Sequence, residues 1–315
     1  MVHQYINNGY HIVLDVNSGA IHVVDEVVYD VIPLFEKHSS EEITGLLREK
    51  YSEEEIREAV EEVAQLKKEG SLFTPDTYEA PLIDFKKRPT VVKALCLHIA
   101  HDCNLACRYC FAEEGEYHGR RALMSYETGK AALDFLIANS GSRRNLEVDF
   151  FGGEPLMNFE VVKQLVAYGR EQEKLHDKHF RFTLTTNGVL LNDDIMEFAN
   201  REMDNVVLSI DGRKEVHDHM RPFRKGAGSY DLIVPKFQKF AKSRNQEKYY
   251  VRGTYTHFNT DFSKDVLHLA DLGFKQISVE PVVAEETDDY AIKEEDLPVL
   301  FKEYDDLAAE MVRRN

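Results

Sequence analysis

The sequence contains no tryptophan, nine prolines and four cysteines in 315 residues. It also has no apolar run approaching the roughly 20 residues a membrane span needs. Each scarcity excludes something. The N-terminus, Met1-Val-His-Gln-Tyr5, lacks the basic-then-apolar layout of a secretion signal, so the expectation is a soluble, cytoplasmic chain with no membrane partner. A secreted disulfide scaffold would carry more cysteines and spread them out. Here Cys103, Cys107 and Cys110 fall within eight residues, with Cys96 a little upstream. In a reducing compartment such a knot of thiols reads as a metal site. Positive charge is short as well: 39 Lys and Arg stand against 56 Asp and Glu, a net charge of -17. That balance argues against nucleic acid or an anionic membrane as the main partner.

What is present is ample for a sizeable core, 43% hydrophobic residues, and for two domains. Residues 1–75 read as a small module. Short strands near Ile12–Asp15 and Ile21–Asp25 flank the turn-forming Asn17-Ser18-Gly19. Three helices are expected next. The first runs from about Val27 to Lys37, and the second starts after Ser39/Ser40 with Glu at +1 and +2 of Ser40, short of a full capping box. The third opens on the box Ser52-x-x-Glu55, continues through Ile56, Val60, Val63 and Leu66, and stops at Gly70. The order suggests a winged-helix-like shape. Residues 76–90, in a stretch with Pro75, Pro81 and Pro89, read as a linker.

From residue 91 to 315 strands and helices alternate. Strands are expected at Ala94–Ala100, Leu146–Phe151, Phe180–Thr186, Val206–Ile210, Tyr249–Thr256 and Gln276–Glu280. Helices are expected near Ser125–Asn139, Phe159–Lys174, Asp193–Asn200, Tyr230–Ser243, Asp261–Leu272 and Asp296–Arg313. Six βα units predict a parallel sheet under a layer of helices, an α/β partial (β/α)6 barrel too short to close. Ligands of such folds gather at the C-terminal ends of the strands.

The segment His101-Asp-Cys103-Asn-Leu-Ala-Cys107-Arg-Tyr109-Cys110-Phe111 follows the first barrel strand. Closely spaced thiolates of this kind converge on an iron–sulfur cubane. Three protein ligands leave one iron open, the mark of a reactive rather than a closed structural centre. A zinc site completed by His98 or His101 is the alternative, although common zinc knuckles pair their cysteines as Cys-x2-Cys twice. Cys96, inside the first strand, reads as core packing.

Cys103-x3-Cys107-x-Tyr109-Cys110, with an aromatic before the last cysteine, resembles the signature of the radical S-adenosylmethionine (SAM) family. That resemblance implies a single [4Fe–4S] cluster on Cys103, Cys107 and Cys110, whose open iron binds SAM and whose electron breaks SAM into methionine and a 5′-deoxyadenosyl radical. The protein's part is to position the cofactor and exclude side reactions. Gly152-Gly153-Glu154-Pro155 ends the second strand, and on its own is either a turn or a close backbone approach to a ligand. In this context it resembles the family's motif for the SAM amino group. Thr185-Thr186-Asn187-Gly188 and Ser209-Ile210-Asp211-Gly212 end the third and fourth strands, either as helix caps or, by the same resemblance, as contacts to the SAM ribose and carboxylate. Arg252, in the fifth strand, is expected to be buried and to need an anion, either the SAM carboxylate or a structural partner. Arg221, in His217-Asp-His-Met-Arg221-Pro, is a second candidate for that role or for substrate.

The combined motifs resemble the branch that modifies peptides and proteins, including sulfatase-maturating enzymes and maturases with a C-terminal SPASM domain. The first module looks like the RiPP recognition element (PqqD-like), which captures a leader peptide by adding it as a strand to a sheet edge, here near Ile21–Val24, beside a helix near Glu54–Lys67. A winged-helix DNA binder is the alternative, opposed by the acidic run Glu53–Glu62. The whole chain looks most like the maturases of six-cysteine SCIFF peptides, which install thioethers between a cysteine sulfur and an α-carbon. The implied partners are a cysteine-rich precursor peptide, held by its leader, and a low-potential electron donor such as ferredoxin or flavodoxin. A sulfatase-maturase-like oxidase and a leader-binding module without activity are the competing expectations. No cysteine follows Cys110, so the chain is expected to be a fragment lacking the family's C-terminal domain of auxiliary clusters. No residue is assigned as the proton acceptor for the substrate cysteine.

Overall fold

The computed structural model describes residues 1–77, 90–113, 115–117 and 119–314. The expected linker at 76–90 lies outside them except for Asp76, Thr77 and Thr90. The chain divides into two compact units, Met1–Arg88 with Ala308–Asn315, and Pro89–Leu307.

The first unit opens with an antiparallel sheet of β1 (Val2–Asn7), β2 (Tyr10–Asp15) and β3 (Ile21–Val24), in that spatial order. Strand β1 was not among the expected strands. It pairs with β2 along its whole length, through a turn in which Asn8 and Gly9 both take positive φ, 50° and 81°. Between β2 and β3, the buried Asp15 carboxylate accepts from the backbone N–H groups of Asn17, Ser18 and Thr74. Burial alone would raise its pKa, yet these donors hold it below the ordinary value.

Helices α1 (Glu26–Phe35), α2 (Ser40–Leu47) and α3 (Glu53–Lys68) follow. The cap of α2 is better than expected: Ser39 with Glu42 forms a complete capping box, as Ser52 with Glu55 does for α3. The core of this unit joins Val13 of β2 to Val31 and Ile32 of α1, Ile43 of α2, and Ile56 and Val63 of α3. Each such burial removes an apolar side chain from water, about 1.5–3 kcal/mol apiece.

The second unit runs β4 (Ala94–His101), β5 (Ala122–Leu123), α4 (Tyr126–Asn139), β6 (Asn145–Gly152), α5 (Phe159–His176), β7 (His179–Thr186), α6 (Asp193–Glu202), β8 (Asn205–Ser209), α7 (Lys214–Met220), α8 (Tyr230–Ser243), β9 (Tyr249–Tyr255), α9 (Ser263–Asp271) and β10 (Ile277–Pro281). A last helix, α10 (Leu297–Arg314), closes the described chain. The sheet order is β10-β9-β8-β7-β6-β4-β5. Among the described residues six strands of this sheet are parallel, and only the two-residue β5 is antiparallel. This is the partial barrel the alternation predicts, open because, among the described residues, its terminal strands β10 and β5 do not pair. Short β5 and polar α7 are additions.

Within β4, β6, β7, β8 and β9 one parity is buried against the helices: Leu97 and Ile99, Val148 and Phe150, Phe182 and Leu184, Val206 and Leu208, Tyr249 and Val251. The opposite parity faces the other side of the sheet, and two expectations fail there. Cys96 shares its parity with His98 and is exposed, not packed in the core. Arg252 is half-exposed rather than buried, and its guanidinium pairs with Glu280 on β10.

Candidate active site: a cysteine loop over the barrel mouth

The cysteine loop leaves β4 at the C-terminal edge of the sheet, where the ends of β6, β7, β8, β9 and β10 surround it. Together they wall a pocket of about 420 Å3. Cys103, Tyr109, Cys107 and Cys110 line it from the loop. Gly152 and Gly153 line it from β6, Thr186 and Asn187 from β7, Ser209 from β8 and Arg252 from β9, with Glu280 opposite on β10. A larger cleft of about 660 Å3, between Leu191–Asp194 and Pro235–Lys239, contains none of these motifs.

The two glycines explain how β6 approaches the loop. A Cβ on Gly152 would stand 2.5 Å from the Ala100 carbonyl oxygen, and one on Gly153 would stand 2.1 Å from that of Asp102. Without them, Gly153 N–H donates to Ala100 (2.7 Å) and Glu154 N–H to Asp102 (2.9 Å), so the strand end is stitched to the start of the loop.

Glu154 and Asp211 stand behind the wall, both fully buried. The Glu154 carboxylate accepts from Thr186 Oγ1 (2.7 Å), Asn187 N–H (2.8 Å) and Leu156 N–H (3.0 Å), so it organises the turn after β7. Burial pushes its pKa up to about 7, against the pull of those donors and of Arg221. Asn187, placed by that turn, donates its side-chain amide to Asn104 Oδ1 (2.8 Å) and toward Cys103 Sγ (3.5 Å). The Asp211 carboxylate receives the Tyr109 hydroxyl at 2.8 Å on both oxygens, and the Thr254 N–H at 3.2 Å. Arg221 completes this group. Its Nη1 donates to Tyr109 Oη (2.6 Å), and it lies 3.8 Å from Asp211.

Arg221, a second candidate by sequence, lies at the centre of the site. Its signal was the spacing His217-Asp218-x-x-Arg221 after the Ser-Ile-Asp-Gly motif. Asn104, inside the cysteine run, was not singled out at all.

The donor set fits a cubane with SAM. Burial pushes the Cys103 thiol up to about 12 and the Cys107 thiol to about 11, so both are protonated until a cation takes the proton's place. Among the described residues no three His, Cys, Asp or Glu side chains converge closely enough for one metal ion. A cubane spreads its thiolates further apart than a single zinc does, and the pocket leaves room beside them. Two buried donors, Arg221 Nε and Asn104 Nδ2, lack a protein partner. A buried unpaired donor costs about 1–3 kcal/mol, and Arg221 also lines the pocket, so an anionic group such as a carboxylate there would offer that side chain a partner. When bound, the cluster supplies the electron for splitting a sulfur–carbon bond. The chain's own residues would bind and orient the group for that chemistry.

Residues 97–272 match the Radical SAM superfamily, and the chain belongs to it. Its cofactors are accordingly a [4Fe–4S] cluster and SAM. Among curated proteins the chain is similar to the radical SAM cyclopropyl synthase TigE of Paramaledivibacter caminithermalis, 23% identical over 184 residues, 54% of this chain and 38% of that protein. It is also similar to the cysteine-type anaerobic sulfatase-maturating enzyme of Clostridium novyi, 28% identical over 137 residues, 42% of this chain and 36% of that protein. It thus spans well under two thirds of either. The structure of Streptococcus suis SuiB bound to S-adenosylmethionine covers all of this chain and 70% of its own, with a TM-score of 0.55 and 17% identity, a likeness of fold.

Proposed function

We propose that this chain is the leader-binding and SAM-cleaving part of a peptide maturase. It would join a cysteine sulfur of a cysteine-rich precursor to an α-carbon, as a SCIFF-type maturase does. The observation that carries this reading is the joining, in one chain, of a cysteine loop at a barrel mouth to a three-stranded sheet with an available edge. Among the described residues β3 pairs only with β2, and Ile21 and Val23 are about two-thirds exposed. An extended leader adding to β3 beside α3 would gain main-chain hydrogen bonds there, with side-chain pockets giving selectivity.

In this reading Cys103, Cys107 and Cys110 hold three irons. Gly152 and Gly153 admit the SAM amino group, with Glu154 holding the turn that presents Thr186 and Asn187. Ser209, Arg221 and Arg252, which line the pocket, would serve the SAM carboxylate and ribose, and Tyr109 is positioned by Asp211. The electron comes from a low-potential carrier such as ferredoxin or flavodoxin, in a cytoplasmic setting. Forming each thioether would remove the thiol hydrogen and one α-hydrogen from the peptide, a two-electron oxidation matched by the two electrons taken up when one SAM is cleaved to methionine and 5′-deoxyadenosine.

The test has two arms. Leader affinity is measured by fluorescence anisotropy for the native chain and for Val23→Glu and Arg57→Glu, with Arg57 exposed on α3; unchanged affinity in both variants would sink the leader site. Mass spectrometry of precursor peptide treated with SAM and reductant should show the loss of a pair of hydrogens per crosslink. The likeness to a sulfatase-maturating enzyme favours a second reading, oxidation of a single cysteine side chain, and a product without a crosslink would select it.

A further inference from the structure

We propose that α7 and the turn after it, Lys214–Tyr230, form a clamp that sets the register of the cysteine loop, with His217 as its positioning residue. The inference rests on the loop holding the cluster.

The contacts run along the loop. Arg224 donates to the Cys103 carbonyl through Nε (3.1 Å) and Nη2 (2.7 Å), and through Nη2 to Asp102 Oδ1 (3.0 Å). Leu105 forms an antiparallel bridge with Phe223. Ala106 N–H donates to the Pro222 carbonyl and Arg108 N–H to that of Met220, both at 2.9 Å. Arg221 then reaches Tyr109. The segment from Met220 to Arg224 therefore acts as a mating strand for residues 102–109, and two of the three cysteines lie within that span.

His217 is fully buried behind this strand and is not among the residues that line the pocket. The Asp211 N–H donates to its Nδ1 (3.3 Å), which leaves the ring proton on Nε2. Nε2 then donates to Ser229 Oγ (2.9 Å), and Ser229 donates to the Arg221 carbonyl (2.7 Å). The imidazole thus ties together, from behind, the two residues that Tyr109 bridges from in front. A cation would lose the Nδ1 acceptor. Burial and the nearby Arg221 guanidinium push the His217 pKa down to about 3, which keeps the ring neutral. Asp218 closes the same turn by accepting from Tyr230 N–H (2.8 Å), and a Cβ on Gly228 would stand 2.2 Å from the Asp218 carboxyl carbon. His217, Asp218, Arg221, Gly228 and Ser229 are therefore parts of one device. Groups that orient metal ligands from behind commonly change metal affinity about 10–100-fold when removed.

The experiment uses the whole chain, reconstituted anaerobically with iron and sulfide. His217→Leu, His217→Gln, Ser229→Ala and Arg224→Ala are compared with native protein for the rate of cluster loss to a chelator. The change that SAM makes in the electron paramagnetic resonance of the reduced cluster is the second readout, and circular dichroism confirms folding. His217→Leu and Ser229→Ala should lose the cluster about tenfold faster, with a weakened SAM-induced spectral change. His217→Gln, which keeps a donor toward Ser229, should recover part of both. Folded Ser229→Ala and Arg224→Ala proteins with native cluster lifetime and native response to SAM would overturn the clamp, whether or not His217→Leu folds. A native chain that takes up no cluster would instead overturn the reading beneath it.

Discussion

Replacing Gly153 with alanine tests how β6 meets the cysteine loop. The φ of Gly153 is not positive, so alanine can adopt its backbone and the cost is steric. The added methyl would stand 2.1 Å from the Asp102 oxygen, 2.6 Å from its carbonyl carbon and 3.1 Å from Gly115 Cα. All three are backbone atoms with no rotamer to change, so the loop or the strand end must retreat by about 1 Å. Overpacking of this kind costs about 1–3 kcal/mol. The retreat also strains the Glu154 N–H bond to the same oxygen, about 1 kcal/mol more. The expected loss is about 2–4 kcal/mol. For a domain of this size each kcal/mol lowers the melting temperature by about 2–4 °C, so the drop should exceed about 4 °C. Calorimetry of the apo chain reads it directly. Gly45→Ala, inside α2 with nothing near its Cβ, is the control and should be neutral or slightly stabilising. A Gly153→Ala protein that melts with the native chain and binds SAM as tightly would refute the close approach.

Asp149, on β6, has its pKa pushed up to about 6 by burial, against the Thr185 hydroxyl and Arg252. A raised carboxyl contributes stability fully present below its unfolded value near 4 and lost as pH rises through 6. Urea unfolding of native protein against Asp149→Asn should therefore diverge by about 2–3 kcal/mol between pH 4 and pH 7, and parallel curves would contradict it. Ser52→Ala removes the cap of α3 and should cost about 1 kcal/mol, seen as faster amide exchange in the first turn of α3 with barrel amides unchanged.

The barrel was legible because five of its six parallel strands bury one parity against helices and three of them, β6, β7 and β8, stop at glycine-bearing turns, so the expected six differ from the observed ones by one or two residues at their ends. Strand β1 was missed because the apolar residues of Val2–Asn7, Val2, Tyr5 and Ile6, do not alternate with the period of a strand, and it earns its place by pairing with β2. Helix α7 was missed because Lys214–Met220 is mostly charged and imidazole side chains, held by the contacts of His217 rather than by an apolar stripe. The errors at Cys96 and Arg252 share one cause. Both lie in apolar strands, and only parity relative to Ile99 and Val251 shows that they face away from the helices. At the site, thiol spacing and the motifs at the strand ends located the pocket. Sequence spacing could not show that Glu154 and Asp211 use their carboxylates inside the protein, because a motif names residues without the direction of their side chains.

The central claim is that this loop and pocket cleave SAM. The direct measurement is 5′-deoxyadenosine by mass spectrometry after anaerobic cluster reconstitution and addition of dithionite and SAM. The native chain should form it, and Cys103→Ala, Cys107→Ala and Cys110→Ala should not. A native chain with a verified [4Fe–4S] cluster that leaves SAM intact would contradict the account.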